Sequence, residues 1–274
     1  MIGIEWRQIA TLAAKEFRDR IQNRWVLAVA AVFAVFSLAI SYFGGAEQGT
    51  LGPRSLEFVI TSQVSLAIYL IPLIALLLGF DTIVGERERG SLDLLLSLPV
   101  TRLEVLLGKY LGLASALALS TIVGFALMAA LLFRQFGWIG LWHSLGFVLS
   151  ATLLGLVFLS LALLVSAHSR ERTRASGMAI ALWFGFVLVF DLVLLGVLVA
   201  SGGEFGGQAL AWLLLLNPTD IFRILNLFSL DQLRGFNGLV SIVPAALGNP
   251  WAMGAAMLAW IVMPLGLAAW RFRK

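Results

Sequence analysis

The chain has no cysteine among its 274 residues and only two histidines, His143 and His168. Without thiols there is no disulfide framework and no thiolate metal site. The histidines are far apart, each near the edge of an apolar stretch, so they read as interface residues rather than a metal pair. Charge is scarce as well, at 12% of residues against 60% hydrophobic. With a mean hydropathy of +0.96 this excludes a water-soluble globule and assigns the chain to the membrane. No Gly-x-x-x-x-Gly-Lys-Ser/Thr occurs, so the chain brings no phosphate-cradling loop of its own. Met253 and Met257 stand one helical turn apart, and thioethers bind Cu(I). With no Cys or His beside them they read as core packing, and no metal is expected. The net charge of +4 is spread over the flanks of apolar runs, and no nucleic-acid partner is expected.

What is present is a series of long apolar runs. Six have the ~20 residues needed to cross ~30 Å of hydrocarbon. They are Trp25–Phe43, Ile60–Phe80, Leu111–Phe133, Leu145–Ala167, Met178–Ala200 and Trp251–Trp270. The expected fold is therefore an all-α membrane protein with six transmembrane helices over residues 25–270. Trp25, Trp251 and Trp270 sit at span ends, as interfacial anchors do. A cleavable signal peptide ending near Gly44-Gly-Ala46 is the rival for the first run, but the run is longer than a signal core of about 7–15 residues.

Lys and Arg are unevenly shared. Residues 1–24 hold five, 81–110 hold four, 168–177 hold three and the tail 271–274 holds three. The alternate segments carry only Arg54, Arg134, Arg223 and Arg234. The positive-inside rule then puts both termini in the cytoplasm of a multi-pass protein, a location that the family resemblance given below narrows to the inner membrane of a bacterium. Within residues 1–24, Trp6, Ile9, Ala13 and Phe17 follow helical spacing beside Lys15, Arg18 and Arg24. This is the pattern of an amphipathic helix lying on the bilayer; a plain positive flank is the alternative.

The stretch Gly85–Lys109 is too charged to enter lipid and too rich in leucine to be an idle loop. Ser91 is placed to cap a short helix with Leu92, Leu95 and Leu96 near one face. Pro99 ends that helix, and Thr101-Arg-Leu-Glu104 is a capping box that opens the next. A short surface helix tied to two spans is a lever between a soluble partner and the membrane; a headgroup-resting loop is the alternative. The loop 168–177, with Arg170, Arg172 and Arg174, is either a second contact or a stop signal.

Asp191 is the one ionisable residue deep in an apolar run. Charge there costs roughly 2.5–3.5 kcal/mol on insertion scales, so it faces protein or water, on a translocation path or a helix interface. Residues 201–250 are unlike the other connections. Asn217-Pro218-Thr-Asp220 reads as a turn leading into the amphipathic Ile221–Phe228, with Arg223 on it. Re-entrant or surface helices shielded by protein satisfy such a backbone. Gly108-x-x-x-Gly112 is a candidate close-approach motif.

Three fragments together resemble the ABC-2 type permeases, membrane subunits driven by a separate ATPase. They are Lys15-Glu-Phe-Arg18-Asp-Arg-Ile-Gln-Asn-Arg24-Trp25, then Glu86-Arg87-x-x-Gly90-Ser91-Leu92-x-x-Leu95-Leu96-x-Leu-Pro99-Val-x-Arg102, then Gly108-Lys109. The resemblance implies the ABC-2 (type V exporter-like) fold, a cytoplasmic coupling helix in 81–110 that docks on the ATPase, and a non-catalytic chain. Mg-ATP would then sit on the partner, with no cofactor on this chain. Phe80-Asp-Thr-Ile-Val-Gly-Glu86, Phe190-Asp191 and Leu213-Leu-Leu-Leu-Asn217-Pro-Thr-Asp-Ile-Phe-Arg223 narrow the likeness to the NosY-type permeases of nitrous-oxide reductase maturation. That likeness implies a homodimer, ABC ATPase subunits of the NosF type and a periplasmic β-helical protein of the NosD type. It further implies support for assembly of a copper–sulfur centre through a sulfur-containing species. A generic exporter of drug, lipid or polysaccharide shares the lever and differs at Asn217–Arg223. An intramembrane enzyme is the remote alternative, since it needs a nucleophile with a base or paired carboxylates at depth.

Overall fold

A computed structural model of the chain describes residues 5–43, 55–201, 212–228 and 249–273. The rival signal cleavage point at Gly44–Ala46 and most of the 201–250 segment lie outside the described residues. All described elements are helical. In chain order they are α1 (Trp6–Gln22), α2 (Trp25–Phe43), α3 (Leu56–Gly79), α4 (Val84–Glu88), α5 (Ser91–Leu96) and α6 (Arg102–His168). There follow α7 (Arg172–Phe184), a π-helical turn (Gly185–Val189), α8 (Phe190–Ala200), α9 (Pro218–Phe228) and α10 (Pro250–Arg273). Five of the helical stretches are long and apolar enough to cross a membrane.

The sequence expectation separates Leu111–Phe133 from Leu145–Ala167, and the structure agrees: α6 covers 67 residues but is two helical arms joined at Gly137. That length is about 100 Å at 1.5 Å per residue, far beyond one bilayer. The helix folds back on itself at Gly137, whose φ of 62° and ψ of −144° suit only glycine. The two arms touch along their length. Phe125 and Phe147 meet edge to face at 5.0 Å, and the Tyr110 hydroxyl donates to the Leu156 carbonyl at 3.3 Å. The hairpin is the centre of the bundle, and α1, α2, α3, α9 and α10 all pack on it.

Helix boundaries follow local chemistry. Ser55 caps α3 by accepting from the Phe58 amide at 3.1 Å. The Thr101–Glu104 capping box forms as expected, the Thr101 amide donating to Glu104 Oε2 at 2.6 Å and the Glu104 amide to Thr101 Oγ1 at 3.3 Å. Ser91 does not cap α5. Gly90 takes that position at φ 71°, and the Ser91 hydroxyl donates instead to the Glu86 carbonyl at 3.3 Å. The expected loop 168–177 is shorter than the sequence suggests, because α7 already begins at Arg172.

The Gly108-x-x-x-Gly112 pair is the seat of α1. A Cβ on Gly108 would lie 2.6 Å from Leu12 Cβ, and one on Gly112 would lie 2.6 Å from the Ala13 carbonyl oxygen and Glu16 Cβ. The helix crossing thus depends on two missing side chains. Within α1, Ile9 and Glu16 are buried, Ala13 and Phe17 half-buried, and Trp6 exposed despite its place in the helical pattern. Gly146 sits on an open face of α6, where an added Cβ would meet nothing within 4 Å. We expect Gly112→Val to lower stability by about 1–3 kcal/mol and to expose α1 to protease. Gly146→Val should do neither. Equal loss for the two variants in a thermal unfolding series would remove the packing explanation.

Candidate functional site

Two ionic clusters lie on the bundle. The first joins α1, α4 and the start of α6. Lys109, 2% exposed, donates to Glu16 Oε1 at 2.6 Å and to Glu86 Oε1 at 2.7 Å. A buried ammonium requires such partners, because desolvation without them is prohibitive. One turn earlier, buried Glu104 accepts from the Glu5 amide at 2.6 Å as well as from Thr101. These amides, Glu5 first, hold its carboxyl below the usual carboxylate range. Glu104 therefore closes the cap of α6 and anchors the start of α1 at once.

The segment Asp81–Val100 is fastened to other helix ends as well. The amides of Ile83 and Val84 donate to Ser166 Oγ at 2.9 and 3.0 Å. Arg87 donates to the Ser169 carbonyl at 2.6 Å, and Arg102 to the Phe272 carbonyl at 2.9 Å. Arg172 meets Asp81 at 2.6 Å, while its amide donates to Glu88 at 2.6 Å. Arg87 and Arg102 thus satisfy carbonyls at the last turns of α6 and α10, where cations are favoured. On α5, Leu92 is buried and Leu95 and Leu96 pack against the core. Its outward face is Asp93 and Leu94, continued by Leu98 and Pro99 in the turn that follows, with Leu94 73% and Leu98 55% exposed. Leu94 on the helix and Leu98 just after it form a small contact patch.

Among the remaining expected site residues, Lys15, Arg18, Arg24, Arg170 and Arg174 are all exposed. Arg24 has φ of 56°, a rare value for a side chain, at the sharp step from α1 into α2.

The second cluster lies where α9 enters the half of the bundle nearer Gly137. Asp191 does not stand alone: Arg223 donates to Asp191 Oδ2 at 2.9 Å and to Asp220 Oδ1 at 2.6 Å. Asp220 is 1% exposed as a side chain, while Asp191 and Arg223 are each about a third exposed, at 38% and 34%. Burial pushes the Asp220 carboxyl up to about 6, with Arg223 opposing. Asn217 organises the cluster. Its Oδ1 accepts from the Thr219 amide at 3.1 Å and hydroxyl at 2.8 Å, and its Nδ2 donates to Asp220 at 3.0 Å. It is the N-cap of α9 with Pro218 at the first helical position, where a proline loses nothing.

Asn217 also donates to the Phe186 carbonyl at 2.9 Å, inside the π-helical turn. A π turn shifts the backbone register by one residue and frees a carbonyl mid-helix. Thr219 Oγ1 reaches the same oxygen at 3.4 Å. The turn that reads as a loop in the sequence is thus buried and cross-linked to a spanning helix. Phe222 meets Phe147 at 6.1 Å, and the Trp260 indole donates to the Leu215 carbonyl at 3.1 Å. Sequence reasoning found every member of this cluster but not its pairing. The available signal was the one cation, Arg223, spaced three residues from Asp220 on a helix that needs shielding.

The described residues thus form an apolar hairpin bundle with a firmly held, leucine-bearing surface helix. The chain matches the ABC-2 family transporter proteins over residues 10–274 and belongs to that family. Members of this permease class work with an ATPase carried on a separate chain. Two relatives align over nearly their whole length. One, named probable ABC transporter permease protein NosY of Stutzerimonas stutzeri, is 45% identical, covering 97% of this chain and 98% of its own. The protein of the same name from Pseudomonas aeruginosa is 43% identical, covering 96% and 97%.

Removing one partner of a buried charge set leaves the other uncompensated, at a cost of about 3–5 kcal/mol when burial is complete. Arg223 is partly exposed, so Arg223→Met should cost less, about 2 kcal/mol, chiefly through Asp220. Adding Asp220→Asn should recover part of the loss. A double-mutant cycle on thermal unfolding checks this; strict additivity would refute the coupling.

Proposed function

We propose that this chain is the six-span permease of a homodimeric ABC transporter whose α5 docks on a cytoplasmic ATPase. The observation that carries the reading is the exposed Leu94–Leu98 face of α5, on a segment tied to α1, α6, α7 and α10. Each arm of α6 is then one span, and both chain ends lie with α5 in the cytoplasm, in accord with the Lys and Arg distribution. ATP and Mg²⁺ stay on the partner, and this chain holds no cofactor. Closure of the ATPase pair pushes α5. Lys109 and the Thr101–Glu104 cap carry the displacement into the first arm of α6 and into α1 together.

The near full-length likeness to NosY permeases supports a role in maturing the copper–sulfur centre of nitrous-oxide reductase. In that role the chain meets a periplasmic β-helical protein on its outer side; Asn217, Pro218 and Asp220 are buried and serve that face by holding α9 in place, not by direct contact. The chain then exports a sulfur-containing species or transmits force to that partner. Asp191 and Arg223, both partly exposed at membrane depth, line the path or the interface between the two copies.

Affinity purification of the tagged chain from its native membrane, followed by mass spectrometry, tests this. An ATPase with a β-helical partner is the expected result. An ATPase alone would replace the maturation role with a general exporter of drug, lipid or polysaccharide, and neither partner would end the lever reading. Arg87 and Arg102 are poor probes because both serve carbonyls within the chain. The cleaner variant is Leu94→Glu with Leu98→Glu, which should cut recovered ATPase by about tenfold with unchanged membrane yield. Undiminished recovery would overturn the assignment of α5.

A further inference from the structure

A polar cavity of about 320 Å³ opens beside the Lys109 cluster, between α1, the α3–α4 turn and the start of α6. Its lining comes from chain segments that border spans. Asn23 lies just before the apolar α2, Thr82 just after α3 ends, and Lys109 just before the apolar part of α6. The cavity is therefore at the level where the bilayer ends, on the α1 side.

Its charge is arranged in two tiers. On the floor, Thr82 is 5% exposed and its Oγ1 is buried without a hydrogen-bond partner. Glu86 uses Oε1 on Lys109, but its Oε2 is buried and unpartnered. On the rim stand the cations Lys15, Arg20 and Arg89, of which Lys15 and Arg89 are exposed, together with the carboxylates of Asp19 and Asp81, the latter paired with Arg172. A buried carboxylate oxygen without a donor is costly, so the floor calls for a donor-rich group. The lining carboxylates do not gather into a cation cage among the described residues: Glu16 and Glu86 are drawn to Lys109 and Asp81 to Arg172, whereas Ca²⁺ or Mg²⁺ takes about six or more oxygen ligands. A primary ammonium, with its three N–H donors, suits the floor. A phosphate suits the three rim cations.

We propose that this cavity binds phosphoethanolamine as the headgroup of an aminophospholipid from the adjoining leaflet. The ammonium sits on Glu86 Oε2 and Thr82 Oγ1, and the phosphate faces Lys15, Arg20 and Arg89. The lipid bridges α1 to the turn that leads into α4, next to the Lys109 tie. The inference does not depend on what the transporter moves.

The test is native mass spectrometry of the full chain, delipidated in mild detergent and titrated with lipids of matched acyl chains. Phosphatidylethanolamine should bind about tenfold more tightly than phosphatidylcholine, which keeps the phosphate and loses the N–H donors. It should exceed phosphatidylglycerol similarly, since that lipid lacks the amine. Thr82→Val should reduce the preference and Thr82→Ser should retain it. Lys15→Gln, on the exposed rim, should weaken phosphatidylethanolamine without disturbing the fold. Equal affinity for ethanolamine and choline lipids, a preference unchanged in Thr82→Val, or an affinity unchanged in Lys15→Gln overturns the proposal. Saturation by soluble O-phosphoethanolamine with no preference among lipids would assign the same chemistry to a small metabolite and overturn the lipid.

Discussion

One buried ammonium holds the working end of this protein together. Lys109 has almost no contact with water, yet it carries a full charge on the first arm of the central hairpin. It is stable there only because Glu16 reaches it from α1 and Glu86 from α4. Buried ion pairs add little net stability against an apolar replacement, but loss of one partner is heavily penalised. The cluster therefore acts chiefly as a constraint. α1, α4 and α6 share one set of relative positions in which the Lys109 ammonium meets both carboxylates, and Gly108 and Gly112 let α1 come close enough for Glu16 to reach.

That constraint bears on how a push would travel. α5 is only six residues long and would fray in isolation. It is rigid because its inner face, Leu92, Leu95 and Leu96, packs on the core while its flanks are pinned to the ends of α6, α7 and α10. A force on Leu94 or Leu98 therefore moves the helix as a body, not as a loop. The Lys109 tie divides that displacement between the hairpin and the surface helix α1.

Much of this was legible in the sequence. The apolar runs, the Thr101–Glu104 capping box and the break near Pro99 rest on short-range rules, and the structure agrees with them. The failures share a cause. Ser91 has the chemistry of a cap, but the neighbouring Gly90 adopts a left-handed φ that a side chain tolerates poorly, so the cap position falls to Gly90 and Ser91 becomes the first helical residue. The two arms of the hairpin do read correctly as two helices, because charge and tryptophans interrupt the apolar pattern around Arg134–His143, but no periodicity singles out Gly137 as the residue that makes the turn. The partners of Lys109 and Asp191 include residues 93 and 32 positions away. No local periodicity encodes such pairings. What the sequence did carry was their membership: Glu16, Glu86 and Lys109 each fall in one of the three fragments that mark the family resemblance, and the structure joins those fragments at a single nitrogen.

The second cluster follows the same logic with a different consequence. α9 is too short to span and too apolar on one face to remain in water. Burying it leaves its first turn without solvent, and Asn217, with Pro218 behind it, meets that need locally. The π turn in the neighbouring span supplies the acceptor that Asn217 still lacks, at the Phe186 carbonyl. A regular α-helix keeps that carbonyl engaged along its own axis. Because Asp191 follows the π turn closely, straightening the helix would alter two bonds together: the Phe186 carbonyl would return to its own helix, and the carboxylate would rotate away from Arg223. The π turn and the Asp191–Arg223 pair therefore fasten α9 to the α7–α8 span at two adjacent points, so the position of α9 depends on the helix keeping its π register.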